Sequence, residues 1–113
     1  MSLPAILPAL LLGVLPLLAG CARKQPTAPE LYELYCARCH GEGGRGDARS
    51  LNLYPNLDLL RSQMVRQGDR GIVRRRIAEG YGPMPGFSHR LSGEEIEGLV
   101  DFTLQLQAEK AGE

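Results

Sequence analysis

The chain has 113 residues, 43% of them hydrophobic and 23% charged, and its thirteen basic and thirteen acidic side chains cancel to a formal net charge of zero. That length holds one small domain and no more. Three cysteines, four Tyr, two Phe and no Trp leave neither a cystine framework nor a large apolar core, so the polypeptide alone has little to fold around.

Residues Ser2 to Gly20 carry no charged side chain and run through Leu-rich sequence into Leu18-Ala19-Gly20-Cys21. This resembles the lipobox of bacterial lipoprotein signal peptides, in which the cysteine is lipidated and then becomes the mature N-terminus. The expected layout is therefore a signal peptide over 1–20 and a lipidated Cys21. One departure is the absence of Lys or Arg ahead of the apolar stretch. The rival readings are a simple secretory signal or an uncleaved membrane helix, and against the latter Pro4, Pro8 and Pro16 weigh. Residues 21–26 form a short tether with a reach of about 17 Å. Its Arg23 and Lys24 suit anionic head groups at roughly 1 kcal/mol each.

Thr27-Ala28-Pro29-Glu30 reads as a capping box with an early proline. It opens a helix expected to turn Leu31, Leu34 and Tyr35 to one side. That helix delivers Cys36-Ala37-Arg38-Cys39-His40, the C-x-x-C-H spacing at which haem is attached covalently. Two thiols three positions apart can each add to one porphyrin vinyl group, and the following imidazole then falls beneath the iron. A bare C-x-x-C would also suit a thiol redox pair or a zinc site. The only other His and Cys are His89 and Cys21, poorly placed to complete a zinc site, and the adjoining His40 favours haem.

From Gly41 to Asp58 the glycines and Tyr54-Pro55-Asn56 predict irregular chain. They lack the Lys-Ser/Thr ending of a phosphate loop, and Arg45-Gly46-Asp47 reads as a turn. A short helix is predicted around 59–66. A firmer one spans about 69–79, with Asp69 as cap, Ile72, Val73 and Ile77 facing inward, and Gly80 as the stop. Gly82-Pro83-Met84-Pro85-Gly86-Phe87 is a rigid non-helical strap that presents one methionine. A thioether there suits the sixth position of low-spin haem iron opposite His40. Met64, on the short helix, and His89, just past the strap, are the weaker competitors. The final helix opens on a second capping box, Ser92-Gly93-Glu94-Glu95, with Ile96, Leu99, Val100 and Leu104 as its stripe and Phe102 beside it.

Together, Cys36-x-x-Cys39-His40-Gly41, the Met84-Pro85 strap and Leu91-Ser92-x-Glu94-Glu95-Ile96 resemble the small monohaem cytochrome c family of class I type, over roughly residues 27–107. The resemblance implies an all-α, class I cytochrome c fold. Its N- and C-terminal helices cross, its loops wrap one covalently attached haem c, and residues 108–113 are left as a tail. It also implies that Pro55 matches the loop proline whose carbonyl accepts the proximal histidine's Nδ1 proton, here that of His40. Where the family often has Gly, eight positions before Cys36, this chain has Ala28, which implies a slightly wider crossing. Tyr54 and the arginines are candidates for the propionates.

With iron held by His40 and Met84, no coordination site is open to oxygen, peroxide or substrate. The expectation is a single-electron carrier and not an enzyme, with no small-molecule substrate and no nucleic-acid partner. Three alternatives stay open: a haem-based ligand sensor or peroxidase-like enzyme with a displaceable Met, the cytochrome subunit of a dehydrogenase complex, or a thiol redox protein. The tether confines redox partners to the same membrane, on the periplasmic side of the cell envelope. Ala22 after the lipidated cysteine points to the outer membrane, by resemblance to lipoprotein sorting. Charge is polarised: Arg61, Arg66, Arg70, Arg74, Arg75 and Arg76 against Asp69 give +5, whereas Glu94, Glu95, Glu97, Asp101, Glu109 and Glu113 against Lys110 give −5. The arginine run is either a solvated helix face or a docking patch for an acidic partner.

Overall fold

Both capping boxes form, and they set the two helices that frame the domain. The computed structural model describes residues 1–2 and 23–113; Cys21 and most of the leader lie outside the described residues. Helix α1 spans Ala28–Tyr35, with the Thr27 side chain accepting from the Glu30 amide and the Glu30 carboxylate accepting from the Thr27 amide. These hydrogen bonds hold the Glu30 carboxyl below its ordinary range. A single turn, α2 (Ala37–His40), follows directly, with Cys36 serving as the C-cap of one helix and the N-cap of the other. The chain then wanders through turns to a 3₁₀ turn at Pro55–Leu57. Helices α3 (Gln63–Arg66), α4 (Arg70–Glu79) and α5 (Gly93–Ala111) complete the order. Among the described residues there is no strand, and the fold is all-α as expected.

The core is one cluster shared by all the longer helices: Leu31 and Tyr32 of α1, Val73, Ile77 and Ala78 of α4, Ile96, Leu99, Val100 and Leu106 of α5, with Val65, Phe87 and Leu91. Helix α5 is the hub, packing on α1, α3 and α4. Its buried face is Ile96, Leu99, Val100, Thr103 and Leu106. Leu104, counted in the stripe from sequence, is only half-buried, because the 3.6-residue period rotates the core face onto 103 and 106. The helix also runs on to Ala111, through the boundary drawn at residue 107.

Two further inward assignments are corrected. Leu34 is 68% exposed and Ile72 lies at the edge of exposure. Their neighbours Tyr32 in α1 and Ala78 in α4 take the inward places. In α1 the reason is the partner: the Tyr32 ring meets Phe102 of α5 edge-on, centroids 5.1 Å apart, worth about 0.5–1.5 kcal/mol beyond its burial.

The crossing of α1 and α5 has a small residue on each side. Gly98 of α5 faces Ala28, and a β-carbon placed on Gly98 would come 3.4 Å from the Ala28 Cβ. A glycine on α5 thus stands opposite Ala28 where the helices meet.

A candidate haem-attachment site

Each end of the site is positioned by backbone. Cys36 closes α1 through its amide bonded to the Tyr32 carbonyl at 2.8 Å, and His40 and Gly41 bond back to the Cys36 and Ala37 carbonyls. The run is thus wound into one helical turn, with Cys36 half-buried against the core and Cys39 exposed. Tyr32 Oη donates to the Gly41 carbonyl at 2.8 Å, which ties the end of that turn to the buried face of α1.

His40 is oriented by a carbonyl, but not the one expected. Its Nδ1 lies 2.8 Å from the carbonyl oxygen of Leu57. Since a carbonyl can only accept, Nδ1 carries the proton and Nε2 keeps its lone pair for a metal. Sequence resemblance had given this role to Pro55. Pro55 instead opens the 3₁₀ turn, and its carbonyl accepts from the Asp58 amide at 3.3 Å. The turn carries the Leu57 carbonyl round to the imidazole, so Pro55 acts one step removed, by shaping the turn.

The methionine strap is built equally firmly. Tyr81 and Met84 exchange two backbone hydrogen bonds of 3.0 Å across Gly82-Pro83, and the Phe87 and Ser88 amides bond to the Ile77 and Ala78 carbonyls of α4. Gly80 turns the chain out of the helix at φ 81°, and a β-carbon there would lie 2.5 Å from the Met84 carbonyl oxygen. The same substitution at Gly86 would meet Glu79 backbone at 2.5 Å. Only glycine fits at both ends of the strap.

The two halves are brought alongside each other by aromatic packing. Tyr35, which precedes Cys36, stands 5.6 Å from Phe87, three residues after Met84, with the rings tilted by 53°. Cys36, Ala37 and Met84 all border the same core. Met64 also borders it from α3. His89 is exposed and accepts from Arg90 Nε at 3.1 Å. Tyr54 is exposed at the turn before Pro55. Two surface grooves, one of about 590 Å³ beside Pro26, Ala28 and Gly98 and one of about 250 Å³ bordered by Arg45, Arg61 and Lys110, include none of Cys36, Cys39, His40 and Met84.

The donor set fits haem better than its rivals. Burial, with a smaller contribution from Cys39, pushes the Cys36 thiol up to about 11. Cys36 is thus held as a neutral thiol and not as a thiolate. Among the described residues no group of three or more His, Cys, Asp or Glu side chains could hold a metal ion. Two unpaired thiols one turn apart and an imidazole with a free Nε2 match covalent haem attachment with axial ligation.

The arginine run is divided by the fold. Arg70 pairs with Glu97 at 3.1 Å and with Asp101, and Arg74 Nε pairs with Glu97 at 2.6 Å. Part of the expected charge separation is therefore neutralised between α4 and α5. Sequence reasoning missed this clamp, although the matching four-residue spacings of Arg70/Arg74 and Glu97/Asp101 are legible on two helices once those helices are known to be neighbours.

Residues 24–102 match the family model described as cytochrome c oxidase, cbb3-type, subunit III. The chain is also similar to cytochrome c6 of Microcystis aeruginosa, 30% identical over 82 residues that cover 71% of this chain and 93% of the relative.

Proposed function

Because the chain belongs to the small class I c-type cytochromes, electron carriers that hold haem c covalently, we propose that it passes single electrons through a haem bound by Cys36 and Cys39 and ligated by His40 and Met84. The observation that carries the ligand assignment is the Tyr35–Phe87 contact, which brings the Met84 strap beside the attachment turn. Haem, when bound, supplies a one-electron ferric/ferrous couple, and a thioether ligand favours the ferrous state. The protein's part is to hold geometry. The Leu57 carbonyl orients the His40 ring, and the glycine-bounded strap would present Met84 to the iron. With His40 and Met84 both holding the group, no ligand position would be left for a substrate.

The carrier is further proposed to be a lipoprotein, anchored through Cys21 on the periplasmic side of the cell envelope, at the outer membrane by the sorting resemblance of Ala22. Its redox partner then works at the same membrane. No described helix is long and apolar enough to cross a membrane. A second reading is favoured by the matched family's own description as an oxidase subunit: the haem-bearing subunit of a membrane oxidoreductase complex.

The decisive experiment is visible spectroscopy on haem-loaded protein released from membranes. Unaltered protein is expected to show the weak long-wavelength ferric band of iron–thioether ligation and no carbon monoxide binding when reduced at neutral pH. Met84→Ala is expected to lose the first and gain the second. Carbon monoxide binding by the unaltered protein would favour the sensor or peroxidase reading instead, and Cys21→Ser protein that stays with membranes would remove the lipid anchor.

A further inference from the structure

We propose that the outward face of α4 and the first residue of the strap, Ile72, Arg75, Arg76 and Tyr81, form the docking surface for an acidic redox protein. This rests on the carrier reading and names the chemistry of its partner.

The fold sorts the arginines by partner. Arg70 and Arg74 lie on the side of α4 that meets α5 and are paired with Glu97 and Asp101. Arg75 and Arg76 lie on the other side, and among the described residues neither makes an ion pair. With Ile72 and Glu79 they share one helical face. Two guanidinium groups against one carboxylate leave this face with an uncompensated positive charge.

Its apolar part is equally specific. Tyr81 is 66% exposed, and the Arg76 guanidinium lies over its ring, 3.5 Å from the centroid. Stacking holds the guanidinium plane flat while its edge N–H groups remain free to donate to a carboxylate. An exposed Tyr beside Arg, with Ile72 nearby, is the composition that anchors protein interfaces, in contrast to a merely solvated charged face. Tyr81 is also bonded twice through backbone to Met84. A partner seated on this stack is therefore next to the residue proposed as iron ligand. Charge complementarity selects a partner with carboxylates around an apolar contact.

The test uses the haem-loaded full chain, reduced and then oxidised by two inorganic complexes of opposite charge: anionic hexacyanoferrate(III) and cationic tris(phenanthroline)cobalt(III). At low ionic strength Arg75→Gln/Arg76→Gln is expected to slow the anionic reaction about threefold or more, with the gap closing as salt rises, and to leave the cationic reaction unslowed. Arg70→Gln/Arg74→Gln, which removes the same two charges from the clamped side, is expected to change the anionic rate less than Arg75→Gln/Arg76→Gln. Protein that holds no haem, or that neither complex oxidises, sinks the carrier reading and this surface with it. Normal oxidation with no effect of Arg75→Gln/Arg76→Gln overturns the surface alone. So does binding to phosphatidylglycerol vesicles that the double substitution abolishes while the anionic rate is unchanged, since the face would then be meeting lipid.

Discussion

The Tyr35 and Phe87 rings pack 5.6 Å apart, joining the end of α1 to the end of the methionine strap across more than fifty residues of intervening chain. Phe87 is 7% exposed and belongs to the core. Phe87→Ala is expected to cost about 3–5 kcal/mol in chemical unfolding. Met84 ligation, followed by the long-wavelength ferric band, should be lost at lower denaturant than helicity. A single coincident transition at unaltered midpoint would show that the contact does not hold the strap.

Pro55 acts on His40 through the turn that ends at Leu57. Pro55→Ala is expected to keep haem attachment but loosen the carbonyl that orients the imidazole. Redox titration should then show a potential shift smaller than the ~59 mV of a tenfold change in a one-electron equilibrium. An unchanged potential would indicate that the turn holds without the proline.

The strap's glycines are separable by what surrounds them. Gly80→Ala puts a methyl 2.5 Å from the Met84 carbonyl oxygen at φ 81° and ψ 178°, so steric overlap adds to the strain of a backbone region open to glycine alone, about 1–3 kcal/mol. Gly82→Ala carries a positive φ of 54° but has nothing within 4 Å of the new methyl, and only the backbone strain applies. Thermal unfolding is expected to rank Gly80→Ala well below Gly82→Ala, with the ferric band lost in the first and kept in the second.

At the helix crossing, Gly98→Leu is expected to destabilise by about 1–3 kcal/mol through overpacking on Ala28. Adding Ala28→Gly should restore part of the loss. Additive effects in that double-mutant cycle would mean that the two residues do not share the contact.

Tyr32 gives the alkaline limb of stability. Burial first, with a smaller contribution from the charge of Glu33, pushes its hydroxyl far above the ordinary tyrosine range. Because the folded value is raised, its contribution is fully present below the unfolded value of about 10. It is lost as the pH rises from there through the folded value, since only the unfolded chain can ionise. Tyr32→Phe is expected to cost about 1 kcal/mol near neutrality, where the bond to Gly41 is missing. Its stability should then fall less steeply than that of the unaltered protein above pH 10; parallel slopes in unfolding titrations would refute the assignment.

Local signals survived folding well. Thr27 with Glu30 and Ser92 with Glu95 cap the helices they were read to cap, and Asp69 accepts from the Ile72 amide as the cap of α4. Each is a contact within three residues, so sequence spacing nearly determines it. The misreadings concern rotation and partners. Leu34 and Ile72 were apolar residues at permitted positions, but burial depends on what lies opposite, and Tyr32 had Phe102 while Leu34 had no such neighbour.

What the sequence determined by itself is the chemistry and its local mounting: two thiols and an imidazole in one turn, a methionine between prolines and glycines, and three helices with their caps. These follow from covalent spacing and short-range backbone preference. Tertiary structure alone decided the long-range pairings. The Leu57 carbonyl orients His40, Gly98 stands opposite Ala28 where the helices meet, and α5 neutralises half of the α4 arginines while leaving Arg75 and Arg76 free of ion pairs among the described residues. Such contacts join positions seventeen to seventy residues apart, where loop path and helix rotation choose the partner and residue type leaves several equally acceptable.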